Sequence, residues 1–466
     1  MAKLTNFIKD YKEFIANYIF PLIGHPFQNE FLCNKKDNDE TVTHLKVKKD
    51  KNKLYFYIPQ SRDYIIANLR SNISDDIVSL VNTICEQYGK VAKFSYIDGS
   101  SRQNDFSKIE RNRIYNYAVQ LGICYWICEN GSIIEELLSI LEEWSLKTYE
   151  GRNISYSIIV DINKENIVEK NDFFKFLRDE YSATLTDSIT SAFLMDLNGN
   201  LIKYVSIVDE KNTNYVNKYK LPSNVPLRFA NLIYKEVFDK RIGIFLLSNG
   251  DILISKKGEI ILIKRNGKWF NCQFSSFDNA LLKFRKKNKI KKQLIKEIFS
   301  TILDVSFSHT GGLISVLIND EYLNGDNQII DLFEQLNEDL DENALRELIK
   351  SSNKLLNDNE IKNEAGKRKV KKEAILKLLG DNKYINFVDI ERKLRSELSA
   401  LDGAFILNKE GNLIAVGTII QNDKGSSGGG RSSAAKKLSL NGLAIKISTD
   451  GYIETFVNGV KVYSIK

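Results

Sequence analysis

Residues 192–202 read Ala-Phe-Leu-Met-Asp-Leu-Asn-Gly-Asn-Leu-Ile, and residues 404–414 read Ala-Phe-Ile-Leu-Asn-Lys-Glu-Gly-Asn-Leu-Ile. Six of the eleven positions are identical. Each stretch is an apolar run, a turn at glycine and a second apolar run, which is the chemistry of a strand-turn-strand hairpin. Outward from this pair the likeness continues in the same order. Residues 154–159 (ISYSII) have a counterpart in 313–318 (LISVLI), and residues 242–253 (IGIFLLSNGDIL) in 441–453 (NGLAIKISTDGYI). Lys257-Gly258 and Asn458-Gly459 then close a further turn in each copy. Three matches in one order predict an internal duplication, with two unrelated α/β units as the alternative.

The chain has 466 residues, 43% of them hydrophobic, which is too long for one core and apolar enough for two or three. Charged (27%) and aromatic (11%) residues stand at globular levels, which excludes wholesale disorder. The net charge of +7 is too weak by itself to indicate a nucleic-acid binder. It also has a local origin. Residues 283–296 (KFRKKNKIKKQLIK) hold eight basic residues and no acidic one, and residues 367–372 (KRKVKK) hold five more. Without these two runs the chain is acidic. Five scattered cysteines form no disulfide framework and favour a reducing compartment. Charges interrupt every apolar run near the N-terminus, and the longest runs elsewhere are strand-sized. The expectation is therefore a soluble, cytoplasmic protein with no membrane contact.

Three regions follow. Residues 1–150 read as an N-terminal α/β domain. It has a strand at 54–58 (LYFYI), a helix at 77–88, an alternating strand pattern at 92–97 (AKFSYI) and an amphipathic helix at 134–144. Residues 151–275 are the first copy and residues 283–466 the second. The basic run opens a helix expected to continue through Leu303, with Ile290, Leu294, Ile298 and Ile302 on its packed face. The second copy carries a polar insertion at about 325–385, read as exposed helices.

Chemistry concentrates in the second copy. Ser308-His309-Thr310-Gly311-Gly312-Leu313-Ile314 leads into one buried strand, and Leu401-Asp402-Gly403-Ala404-Phe405-Ile406-Leu407 places a carboxylate at the mouth of another. Residues 425–437 (GSSGGGRSSAAKK) form a glycine and serine loop running into a helix. Glycines let backbone approach an anion, successive amides make a nest, and a helix N-terminus adds its dipole. Arg431, Ser432 and Ser433 add phosphate contacts, and Asp402 a carboxylate for a divalent metal bridging the phosphates. A solvated Gly/Ser loop with an ordinary cap is the alternative.

The order of these motifs over about 290–466 resembles the diadenylate cyclase domain of the DisA type. Members of that family condense two ATP molecules into cyclic di-AMP with Mg²⁺ or Mn²⁺, at two sites facing across a dimer. The resemblance implies a mixed-sheet α/β fold, preceded by a degenerate similar unit. It implies nucleotide contacts from Asp402, Gly403 and Ala404, with Asp402 as the catalytic and metal-holding residue. Phosphate contacts would come from Gly429, Gly430, Arg431, Ser432 and Ser433. The family's Gly-Thr-Arg-His-Arg motif falls on Gly429-Gly430-Arg431-Ser432-Ser433, where its Thr, His and second Arg are absent. Those groups hold the triphosphate, so their loss removes charge stabilisation that phosphoryl transfer requires.

The leading expectation is accordingly a sensor of a nucleotide or nucleotide second messenger, similar to degenerate cyclase-like sensors of bacterial signalling and phage-defence proteins. An active diadenylate cyclase and a basic nucleic-acid-binding scaffold are the alternatives. The two copies are further expected to pair within one chain or between chains of a homo-oligomer. In the first copy Thr190 or Ser191 stands at the Asp-Gly step and Arg228 roughly matches Arg431. Three histidines (His25, His44, His309) show no metal-ligand spacing, and Cys124 and Cys128 read as core thiols. Asp304, near a helix end, reads as a capping or solvated residue, with a contribution to a site as the alternative.

Overall fold

Turn glycines and period-two runs become strands in a computed structural model. It describes residues 10–23, 32–35, 45–50, 53–57, 63–69, 73–96, 107–129, 131–162, 173–207, 225–237, 240–318, 385–418, 420 and 429–465. The chain divides into two units, Met1–Leu281 with Tyr463–Lys466, and Leu282–Val462. Both are mixed α/β.

In the first unit, a π-helical stretch Ile15–Ile19 runs into α1 (Phe20–Ile23). Strands β1 (Leu32–Lys35), β2 (Lys46–Asp50), β3 (Lys53–Tyr57) and β4 (Asp63–Asn68) form an antiparallel sheet ordered β1-β4-β3-β2. Helices α2 (Asp75–Tyr96), α3 (Lys108–Ile127) and α4 (Gly131–Ser145) follow. Ser107 and Glu110 begin α3 with a capping box, each side chain satisfying the other's backbone amide. The strand expected at 92–97 is instead the end of α2, as far as Tyr96. Over six residues an alternating pattern also fits a helical face, and a helix already nucleated upstream extends one bond per residue.

After a short hairpin, β5 (Thr148–Tyr149) and β6 (Arg152–Asn153), the first copy unfolds strand by strand. It comprises β7 (Tyr156–Asp161), α5 (Phe173–Leu177), β8 (Ser191–Met195), β9 (Leu201–Ser206), α6 (Leu227–Glu236), β10 (Arg241–Leu246), β11 (Ile252–Lys256), β12 (Glu259–Arg265) and β13 (Lys268–Asn271). Helices α7 (Phe274–Lys287) and α8 (Lys292–Ser308) lead to the second copy. That copy comprises β14 (Gly312–Leu317), α9 (Arg392–Ser399), β15 (Ala404–Asn408), β16 (Leu413–Thr418), α10 (Gly430–Ser439), β17 (Gly442–Ile447), β18 (Ile453–Val457) and β19 (Val460–Ile465).

Over six strands the two sheets share one order, and the first adds β13 at its edge. One runs β9-β8-β7-β10-β11-β12-β13 and the other β16-β15-β14-β17-β18-β19. In each, a single pair is parallel, β7 with β8 and β14 with β15. Ile158 lies between Phe193 and Ile244, and Ile314 lies between Phe405 and Ile445. These anchors correct the sequence register: residues 154–159 correspond to 310–315, three positions from the expected match. Neither 154–159 nor the expected match 313–318 holds a glycine, proline or asparagine turn to fix its register. The same anchors set Ile252, not Leu253, against Ile453.

The hairpins agree down to their hydrogen bonds. Asp196 Oδ1 accepts from the amides of Asn198 and Asn200, and Asn408 Oδ1 from those of Glu410 and Asn412. Gly199 (φ 85°) and Gly411 (φ 91°) sit between them in the left-handed region that glycine tolerates.

One hydrophobic core runs from Phe14 through Trp144 and Tyr156 to Trp269, so residues on both sides of position 150 share it. In the second unit, Leu313, Ala404, Ile406, Ala434, Leu438, Ala444 and Phe456 pack between α10 and its sheet. The single helix expected from the basic run is broken between α7 and α8, where Lys289 takes φ 57°. Ile290, Leu294, Ile298 and Ile302 are nevertheless all buried. The insertion and the run 367–372 lie outside the described residues, apart from residue 385. Among the described residues no helix is long and apolar enough to cross a membrane.

Candidate functional site

Parallel pairing puts the N-terminal ends of β14 and β15 at one end of the second sheet. The antiparallel β17 returns to that end, with Ile447 opposite Gly312. His309-Thr310-Gly311-Gly312, Asp402-Gly403-Ala404 and the Ser448–Gly451 turn therefore converge, and α10 begins beside them. The structure brings together the three motifs read from the sequence.

Arg431, the second residue of α10, joins them. Its Nη2 donates to Asp402 Oδ1 at 3.2 Å. Its Nη1 lies where a side chain on Gly311 would begin, 2.6 Å from an ideal Cβ position. Gly311 also has φ 72°, so backbone conformation and the guanidinium both call for glycine there. At Gly312 a Cβ would come within 2.4 Å of Ser399 O, at the end of α9. His309 ends α8 in the left-handed conformation, and its Nδ1 lies 3.1 Å from Thr449 O. Ser306 ties α8 to the same turn by donating to Gly451 O.

Asp402 is 87% exposed at its side chain and Arg431 31%. An exposed pair of this kind contributes about 0–1 kcal/mol, so an incoming anion can displace it at little cost. Gly429 takes φ 78° before α10 and supplies no side-chain cap. Gly430 has no such conformational demand, and a Cβ on it would meet nothing within 4 Å. Among the described residues neither packing nor strain requires glycine at 430. The rest of the loop, residues 425–428, lies outside the described residues.

The other candidates fall as follows. Ser432 and Ser433 are half-buried and their amides already donate to Gly429 O. Ala404 is fully buried, its methyl in the core, so only its backbone borders the mouth. Asp304 is neither solvated nor a cap. It accepts from Arg392 Nε at 2.7 Å and Nη2 at 2.9 Å, joining α8 to α9. Cys124 and Cys128 are buried.

Three charged residues escaped the sequence reading: Lys446 on β17, Glu454 on β18 and Lys461 on β19. Lys446 Nζ donates to Ser432 Oγ at 2.7 Å and to Glu454 Oε2 at 3.3 Å, and Lys461 pairs with Glu454. Their separation along the chain leaves no local signal, though alternation places Lys446 on the side of β17 that α10 covers.

Among the described residues no three carboxylate, histidine or cysteine side chains gather as a metal cage. Asp402 alone fits a magnesium ion carried on phosphates, which needs only one or two protein carboxylates.

The first copy lacks this arrangement among its described residues. Thr190 and Ser191 occupy the Asp402-Gly403 positions, and the nearest carboxylate, Asp187, is consumed. It accepts from the amides of Ile189, Thr190 and Ser191 and from both their hydroxyl-bearing side chains, Thr190 and Ser191. Burial pushes its pKa upward, and these hydrogen bonds outweigh it, for a net lowering. Arg228 is again the second residue of its helix, with its guanidinium 5.0 Å from the Phe229 ring. No protein-family model, curated protein or solved structure matches the chain.

Proposed function

We propose that the second unit binds a phosphate-bearing nucleotide at the mouth formed by Gly311, Asp402, Gly429, Gly430 and Arg431, and serves as a sensor. The observation that carries this reading is the meeting of Arg431, Asp402 and a glycine-begun helix at one sheet end. Arg431 would grip phosphate oxygens in its planar fork, α10 would present backbone amides, and Asp402 would accept from a sugar hydroxyl or hold a phosphate-borne Mg²⁺ or Mn²⁺. The resemblance to diadenylate cyclases supports the same placement. Sensing rather than turnover is favoured because Ser432 and Ser433 bring no charge to the helix's first turn.

Calorimetric titration of the full chain with ATP and with cyclic di-AMP tests this. Arg431→Ala is expected to weaken binding about 10- to 100-fold, the worth of a hydrogen bond to a charged group. Binding of neither ligand, or binding indifferent to Arg431→Ala, refutes it. Clear cyclic di-AMP production from ATP and Mn²⁺ would replace the sensor with the cyclase.

A further inference from the structure

The ion-pair chain Lys461–Glu454–Lys446–Ser432 crosses three strands and ends on the first turn of α10. Its members are largely covered, with side-chain exposures of 18% for Lys446, 13% for Glu454 and 30% for Lys461. The first copy shows what the fold itself needs at these places. Phe245 pairs with Leu253 across β10 and β11 as Lys446 pairs with Glu454 across β17 and β18. Ile260, two residues beyond the Gly258 turn, stands for Lys461, and Phe229, the third residue of α6, for Ser432. All four are fully buried. The same architecture is thus satisfied by an apolar cluster, and desolvated ion pairs seldom improve on one.

The network also carries two ammonium groups for one carboxylate. That excess positive charge lies beneath a helix N-terminus, itself positive, one residue from Arg431. Like charges so placed repel until an anion arrives. Resting on the nucleotide reading above, we infer that Lys446 is the second phosphate contact of the site. It exchanges the Ser432 hydroxyl for a phosphate oxygen while Glu454 holds the ammonium in place. Two cations on adjoining segments select a ligand with adjacent phosphates, a nucleoside di- or triphosphate over a monophosphate.

The test is calorimetric titration of the full chain with ATP and AMP at two salt concentrations, for wild type, K446M, K446R and R431A. Methionine is tolerable because the first copy carries phenylalanine there. Should K446M melt early, K446Q, which can still hydrogen-bond Ser432, is read in its place. Wild type is expected to bind ATP more tightly than AMP. K446M should lose about tenfold or more for ATP, lose little for AMP and flatten the salt dependence, and K446R should restore both. If R431A abolishes binding while K446M changes neither affinity nor salt dependence, the role of Lys446 is overturned and the nucleotide reading stands. If wild type binds neither ligand, both fall.

Discussion

Asp304→Ala is expected to destabilise the second unit by about 3–5 kcal/mol, the cost of stranding one member of a buried ion pair. The structure sets that magnitude. The carboxylate is 6% exposed at its side chain, takes two bonds from Arg392 at 2.7 and 2.9 Å, and a third from Ser396 at 3.2 Å. Arg392 is itself 13% exposed, so deletion leaves a desolvated guanidinium beside the Ser300 carbonyl. For a unit of this size each kcal/mol moves the midpoint by about 2–4 °C, so the transition should fall by about 6–20 °C. Arg392→Met should cost a similar amount. The double variant removes both charges and should cost no more than either single variant, giving a coupling of at least about 3 kcal/mol in the cycle. Differential scanning calorimetry of the four proteins is the assay. A midpoint for Asp304→Ala within about 2 °C of wild type, or strictly additive losses, would refute the reasoning.

Gly311→Ala places a methyl at a position with φ 72°, against the Arg431 guanidinium. It should weaken ATP binding severalfold with about 1–2 kcal/mol of lost stability, as read by titration and thermal melting. Asp187 is held below the ordinary carboxylate range, so its contribution is present above the unfolded pKa of about 3.9 and fades as pH falls through the lower folded value. Asp187→Asn should therefore narrow the gap in urea midpoint between pH 7 and pH 3, and an unchanged gap would count against this assignment. Burial pushes the Cys272 thiol up to about 12 and those of Cys85 and Cys124 well above the usual range. Thiol-reactive reagents followed by peptide mass mapping should leave these three unlabelled until denaturant is added.

Much of the second-copy fold was legible because its punctuation is chemical. Asn-Gly and Asp-Gly turns, and the matched residues 192–202 and 404–414, fix hairpins whose backbone turn bonds the structure repeats. What failed lay between such marks. Residues 154–159 hold no glycine, proline or asparagine, so no turn residue opposed a three-residue slip. The break at Lys289 carries no proline or glycine, and basic residues suit a helix end as well as its middle. Of the site, Asp402, Gly430 and Arg431 were readable as motif residues. Lys446 was not, since its meaning depends on Glu454 and on Ser432 arriving from another element, and on a sister unit that buries phenylalanine in its place.

The parallel strand pair of each unit is joined by a crossover, from Asp161 to Ser191 in the first and from Leu317 to Ala404 in the second. The second is roughly three times longer, yet loop-closure entropy grows only logarithmically, so the extra chain costs about 1 kcal/mol. Stability hardly registers the difference, but speed does. The central β14–β15 pairing must wait for a distant segment, whereas β7 and β8 meet over a short span. During synthesis the first unit can close its sheet early and the second late. A destabilising change at α9, the last element before β15, is therefore felt first as slow maturation of the site rather than as loss of the finished fold.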